Sequence, residues 1–338
     1  IQLYIMLFFL IVQQARRNDP RSLDATFWLV LVLMAVAMTT TYVFMITVDA
    51  RVMRTIVRSS QEAENLIGQG VGGYAMAYGA VLMLPALMVL SFRPSLIDRV
   101  RAPFVLRLFP LIPRLLVWYL TCLSVLLVLS SQFATAVLSL AVCTMVVAVL
   151  WRVTAFRILL SAFLIFTLLF FGKDILIDIL VYLAPLVEDT NYSLKVNDLL
   201  SLLQSEGIAG TVEDRFERYG RSLTLFLHNP LTGVLYFNDL GKHSALIDSF
   251  ARWGVLIGFI LIYLVTFRQI RALRSLSSVP GGAGAAFGTL AAVLMVFGLN
   301  NVFMAAGIII YIVYPILFDV LVEVKADQHK FNEVPPHA

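Results

Sequence analysis

The chain has 338 residues, 60% of them hydrophobic and only 14% charged, with a mean hydropathy of +0.89 and a formal net charge of +4. An average soluble domain is about half apolar and about a quarter charged, so this composition cannot supply a soluble surface. Disorder, collagen and disulfide scaffolds are excluded by the same numbers, and the chain reads as an all-α, polytopic transmembrane helical bundle.

A span needs about 20 mainly apolar residues. That rule predicts spans over 26–47, 74–92, 111–130, 132–151, 156–172, 253–268, 285–302 and 303–321. Residues 1–12 resemble the second half of another, which brings the expectation to about nine. Because the sequence starts at Ile1 rather than methionine, the N-terminal span is expected to be incomplete and the complete protein to hold at least one more.

Basic residues orient these spans. Arg16, Arg17 and Arg21, then Arg93, Arg99, Arg101, Arg107 and Arg114, then Arg152 and Arg157, then Arg268, Arg271 and Arg274 all fall on one side when spans are counted. With the tail from Glu323 they hold 15 of the 25 Lys and Arg, and the positive-inside bias makes that side cytoplasmic. The basic balance is therefore topogenic, and no nucleic-acid partner is expected. Cys122 and Cys143 lie in apolar runs, where sulfur usually packs.

Four stretches differ from spans. Arg51, Arg54 and Arg58 lie outside, against the bias; an anionic ligand would explain them, as would pairing with Glu62 and Glu64. Residues 173–189 put Asp174 and Asp178 on one helix face, which suits a helix lying in the outer interface, the other reading being an acid/base pair. Residues 188–252 carry 15 of the 46 charged residues, nine acidic and six basic, and form one large extracytoplasmic loop with helical patterning, read as folded. Residues 277–284, SSVPGGAG, read as a flexible inside linker. The organisation expected is thus helices over 1–187, a catalytic loop over 188–252, helices over 253–322 and a cytoplasmic tail over 323–338.

Within the loop, Arg215, Arg218 and Arg221 recur every third residue and fan over one side of a helix. Arginine grips phosphate bidentately. Asp214–Arg218 and Glu217–Arg221 are also ordinary i,i+4 pairs, whereas Arg215 has Thr211 and Tyr219 at those spacings and no acid on its own face. Lys242 and His243 stand at the head of a helix that then enters the membrane. A histidine there suits a general base near neutral pH; the alternative is an interfacial cap. On a straight helix Asp248, five residues on, faces away from His243. His228, beside Asn229-Pro230, reads as a turn residue, and His329 and His337 fall in the tail.

Nucleotide-phosphate, zinc-hydrolase and serine-acyl motifs (G-x-x-x-x-G-K-[ST], HExxH, G-x-S-x-G) do not occur. Arginines and one histidine remain, a set suited to an anionic, membrane-delivered substrate with an activated leaving group.

Arg215, Tyr219, then Asn229, Pro230, Leu231 and Gly233, then His243-Ser244, Asp248, Gly254 and Gly258 occur in a recognisable order and spacing. In these residues, and in its many spans with one large late loop, the chain resembles the O-antigen and capsular polysaccharide polymerases of the Wzy type, relatives of the O-antigen ligases. Leu235 departs from that pattern, standing where the family often has a second glycine, and His243-Ser244 replaces the His-Asn more usual in ligases.

The resemblance implies a glycosyltransferase of the bacterial inner membrane acting on the periplasmic side. Its donor would be an undecaprenyl-pyrophosphate-linked glycan, with a chain-length regulator and a flippase as partners and no cofactor or metal. Arg215 would neutralise the departing pyrophosphate and His243 would take the acceptor proton. Arg218, Arg221, Arg51, Arg54, Tyr219, Lys242 and Asn229 would contact pyrophosphate or glycan. An O-antigen ligase acting on lipid A core is the nearest alternative. A lipid-linked saccharide flippase is the alternative of another class, disfavoured because transporters keep their charges within the membrane.

Overall fold

In the computed structural model the described residues are 20–49, 52–56, 61–98, 100, 103, 111–131, 133–151, 177–188, 193, 196–197, 200, 211–235, 240–263 and 281–300. Among them there are helices and no strand. We label the principal helices α1 (Pro20–Thr47), α2 (Gln61–Gly68), α3 (Tyr74–Phe92), α4 (Leu111–Ser130), α5 (Ala134–Val149), α6 (Thr211–His228), α7 (Ala245–Ile262) and α8 (Gly282–Leu299). Among the described residues four helices are long and apolar enough to cross a membrane: Asp24–Thr47 within α1, α3, α4 and α8. They coincide with four of the expected spans. The expected span over 132–151 is represented by the 16 residues of α5. Those over 1–12, 156–172 and 303–321 lie outside the described residues.

The chain divides into two compact units. The first comprises residues 1–151, 268–292 and 302–338. Its centre is α3, whose residues from Ala77 to Ala86 are all buried, and against which α4 and α5 pack. Between helices in lipid no hydrophobic difference drives association, so close packing and hydrogen bonds must do it. Ser91 and Thr121 bond across α3 and α4 at 2.7 Å, Thr39 and Tyr119 across α1 and α4 at 2.6 Å, and Tyr78 bonds Thr135 of α5. The helix α3 stops where Pro94 forces Arg93 out of the helical region, to φ −130° and ψ 68°.

The stretch 277–284 departs from its expected role as a linker at its described end. Gly281 donates its N–H to the Trp151 carbonyl at 3.1 Å, and the helix α8 begins at Gly282. A Cβ at Gly284 would stand 2.9 Å from the Val147 carbonyl, and one at Gly288 would stand 2.6 Å from the Val147 side chain. These glycines serve close approach to α5 rather than flexibility.

Residues 177–188 begin as α-helix and end in a 3-10 turn, Ala184–Val187. Asp178 is exposed beside the exposed Ile179, Val181 and Tyr182, while Asp174 lies outside the described residues. The second unit comprises residues 152–267 and 293–301, so α6, α7 and the C-terminal end of α8 belong to it.

Candidate active site

The helix α6 has three distinct sides at 100° per residue. Arg215, Arg218, Tyr219, Ser222, Leu225 and Phe226 point inward and are buried or half-buried. Phe216, Leu223 and Leu227 form an exposed apolar stripe beside Gly220. Asp214, Glu217, Arg221, Thr224 and His228 form an exposed polar side. The helix ends at His228, whose Nδ1 lies 2.8 Å from the Thr224 carbonyl, and Asn229-Pro230 prevents its continuation.

Beyond that turn, residues 230–235 join α7 at a break. At Gly254 the backbone takes φ 72° and ψ −176°, a region open essentially to glycine alone. The break frees the carbonyls of Ala251 and Arg252, which accept from Val234 N–H and Leu235 N–H at 3.0 Å each. In return Val255 donates to the Pro230 carbonyl at 2.7 Å. Side chains at either Gly233 or Gly254 would collide with the opposite backbone. Gly258 leaves room for the Phe250 ring, which also meets Phe226 and Phe259. The Asn-Pro-Leu-x-Gly and Gly-x-x-x-Gly stretches are thus the two halves of one backbone splice. Leu235, with φ 45°, takes the left-handed conformation that a glycine would adopt freely.

The same elements meet the end of a membrane-length helix. Tyr219 Oη donates to the Leu299 carbonyl at 3.2 Å, Ala245 N–H to Asn300 O at 3.1 Å, and Ser244 Oγ to Phe297 O at 3.4 Å. These bonds satisfy carbonyls that the C-terminus of α8 leaves without helical partners.

His243 stands just before Ser244, the N-cap of α7, whose Oγ accepts from Ile247 N–H at 3.2 Å. It is therefore outside the helix, and the straight-helix argument separating it from Asp248 does not apply. Asp248 in fact contributes to the electrostatic field at His243, with Arg218, Arg215 and Asp214. Desolvation, then the charges of Arg218 and Arg215, hold the imidazole below the ordinary histidine range, outweighing the two aspartates. Desolvation likewise raises Asp248 despite its bond from Ser222. Asp214 is lowered, chiefly by its hydrogen bond from Arg218.

Arg215 and Arg218 are thus brought to His243, but they are not equivalent. Arg218 Nε donates to Asp214 at 2.9 Å. Arg215 acts on the Tyr219 hydroxyl with its positive charge, against the upward pull of burial, and has no ion-pair partner among the described residues. Arg221 turns to the polar side and pairs with Glu217 at 3.1 Å. Lys242 is exposed, and Asn229 is exposed at the end of α6. Arg54 belongs to a short helical turn, Val52–Thr55, of the first unit, and Arg51 lies outside the described residues.

Sequence reasoning passes over Ser222 and Gly241, although Ser222 is seven residues from Arg215 and so shares its face. Among the described residues no three His, Cys, Asp or Glu side chains gather to hold a metal ion. The chain matches no protein-family model and no curated protein sequence.

Proposed function

We propose that this protein is a membrane glycosyltransferase that polymerises undecaprenyl-pyrophosphate-linked oligosaccharide repeats on the extracytoplasmic face of a bacterial inner membrane. The observation that carries this reading is a half-buried histidine with its protonation disfavoured, beside two arginines, on elements hydrogen-bonded to the end of a membrane-length helix. Such a set provides a neutral base and a cationic seat for a leaving group. The exposed stripe Phe216, Leu223 and Leu227 suits contact with lipid, in keeping with a donor that arrives by its polyprenyl chain.

In the reaction proposed, a hydroxyl of the acceptor glycan attacks the anomeric carbon of the donor. The bond from that carbon to the phosphate oxygen breaks, and undecaprenyl pyrophosphate leaves with the electron pair. The hydroxyl proton passes to neutral His243. Arg215, free of a carboxylate partner among the described residues, takes the charge growing on the pyrophosphate, and Arg218 assists from its pair with Asp214.

The test is reconstitution of the full chain in liposomes with a lipid-linked repeat. A ladder of extended lipid-linked products is expected. Arg215→Ala and His243→Ala should each lower turnover by about a hundredfold or more, the scale of losing one preorganised donor or base. Transfer to lipid A core alone would identify a ligase instead, and wild-type ladders from both normally inserted variants would refute the site.

A further inference from the structure

We propose that the buried pair Ser222 and Asp248 is a positioning device that fixes the Lys242–His243–Ser244 turn and so aims the His243 imidazole. Ser222 is fully buried on the inward side of α6, and Asp248, in the first turn of α7, is 7% exposed. Ser222 Oγ donates to Asp248 Oδ1 at 2.6 Å and accepts the Gly241 N–H at 2.9 Å. The Asp248 backbone N–H donates to the Ser244 carbonyl at 2.9 Å, and the backbone dipoles of Lys242 and Ser244 favour its ionised carboxylate.

Ser222 therefore holds the Gly241 amide before His243, and Asp248, bonded to that serine, is tied through its own N–H to the Ser244 carbonyl after it. Lys242 takes φ 57°, a left-handed conformation uncommon outside glycine, which must be maintained by its surroundings. Gly241 completes the fit: a Cβ there would run into the Arg218 carbonyl, so the turn lies directly on the arginine helix. Among the described residues, the charged groups that act on His243 are Asp214, Arg215 and Arg218 from α6 and Asp248 from α7.

The mechanical part of this inference stands without any particular reaction; its kinetic part rests on His243 being the base proposed above. Hydrogen exchange of the full chain in lipid nanodiscs tests the first part, with α3 of the other unit as internal control. In Ser222→Ala and in Asp248→Asn, amides 241–244 should exchange about tenfold faster, the effect of one lost hydrogen bond, while α3 keeps its wild-type rate. Wild-type exchange at 241–244 in both variants would overturn the proposal. So would equal acceleration throughout the chain in both, since the pair would then be a general determinant of folding. If Asp248→Asn alone fails to fold, Ser222→Ala decides.

In the reconstituted reaction, both variants should lose kcat about tenfold or more with KM for the lipid-linked donor within about twofold. Faster exchange without that kinetic split would leave the clamp standing and remove His243 from the role of base.

Discussion

At the scale of single residues, the charges around His243 make its protonation the most direct observable. The imidazole lies below the ordinary histidine value of about 6.5, so its neutral form is already dominant at neutral pH. A base must be neutral to act. The acid limb of kcat/KM should therefore fall below about pH 6.5, with activity flat above it. Removing a neighbouring positive charge relieves the repulsion of imidazolium, so Arg218→Ala should move that limb to higher pH. An unmoved limb in a variant with measurable activity would separate Arg218 from His243. The same depressed value has a stability consequence with a definite sign. The unfolded chain binds the proton more readily, so stability present above about pH 6.5 is lost as the pH falls through the folded value.

Leu235 offers a second residue-scale test. It holds φ 45° while 41% exposed, so it bears the cost of a left-handed conformation without much burial in return. That conformation costs an L-residue roughly 1–2 kcal/mol, and the extra freedom of glycine in the unfolded chain offsets about half of it. Leu235→Gly should accordingly leave thermal stability unchanged or raise it by up to ~1 kcal/mol. A clear fall in the unfolding midpoint would show that the leucine side chain itself is needed.

Among the elements, the break in α7 joins residues 230–235 to that helix. At Gly254 the φ and ψ angles are those only glycine tolerates, and any Cβ would be driven into the Leu231 carbonyl. Gly254→Ala should lower stability by at least about 1–3 kcal/mol from the backbone alone, with loss of the Val234 and Leu235 bonds to α7. Protection of those two amides measures the effect, and unchanged protection would count against the splice. By contrast, Gly220 has nothing within 4 Å of a prospective Cβ, so Gly220→Ala should be tolerated.

How much of these elements is legible in the sequence depends on the kind of signal each part leaves. Apolar runs of 18 to 28 residues announce α1, α3, α4 and α8 directly, and i,i+4 spacing announces the Arg218 and Arg221 pairs. Arg215 can be singled out by the acid it lacks. The clamp cannot be read, because Ser222 and Asp248 are 26 residues apart and a lone serine in a helix carries no pattern. The relation of Asp248 to His243 is missed when helical geometry is extended one turn too far. Ser244 is the cap, and His243 precedes it in an irregular turn. Glycines at 281–284 read as flexible because composition cannot distinguish a loose backbone from one pressed against Trp151 and α5.

For the whole molecule, the proposed reaction requires the His243 region and the arginine-rich connections to lie on opposite faces of the membrane. On the spans expected from the sequence, charge bias would put the connection after α3 inside and parity would put α6 outside. Two exposed positions test both halves: Ser95, in the turn after α3, and Gly220, on the outward side of α6. Both native cysteines, Cys122 and Cys143, are first replaced by alanine, since Cys122 is exposed. A membrane-impermeant maleimide added to spheroplasts should then label Gly220→Cys at once and Ser95→Cys only after the membrane is permeabilised. Labelling of both from outside would break the span count, and the reverse pattern would put His243 in the cytoplasm. A donor presented at the outer leaflet could not then reach it, and the proposed polymerase would fail even with its site chemistry intact.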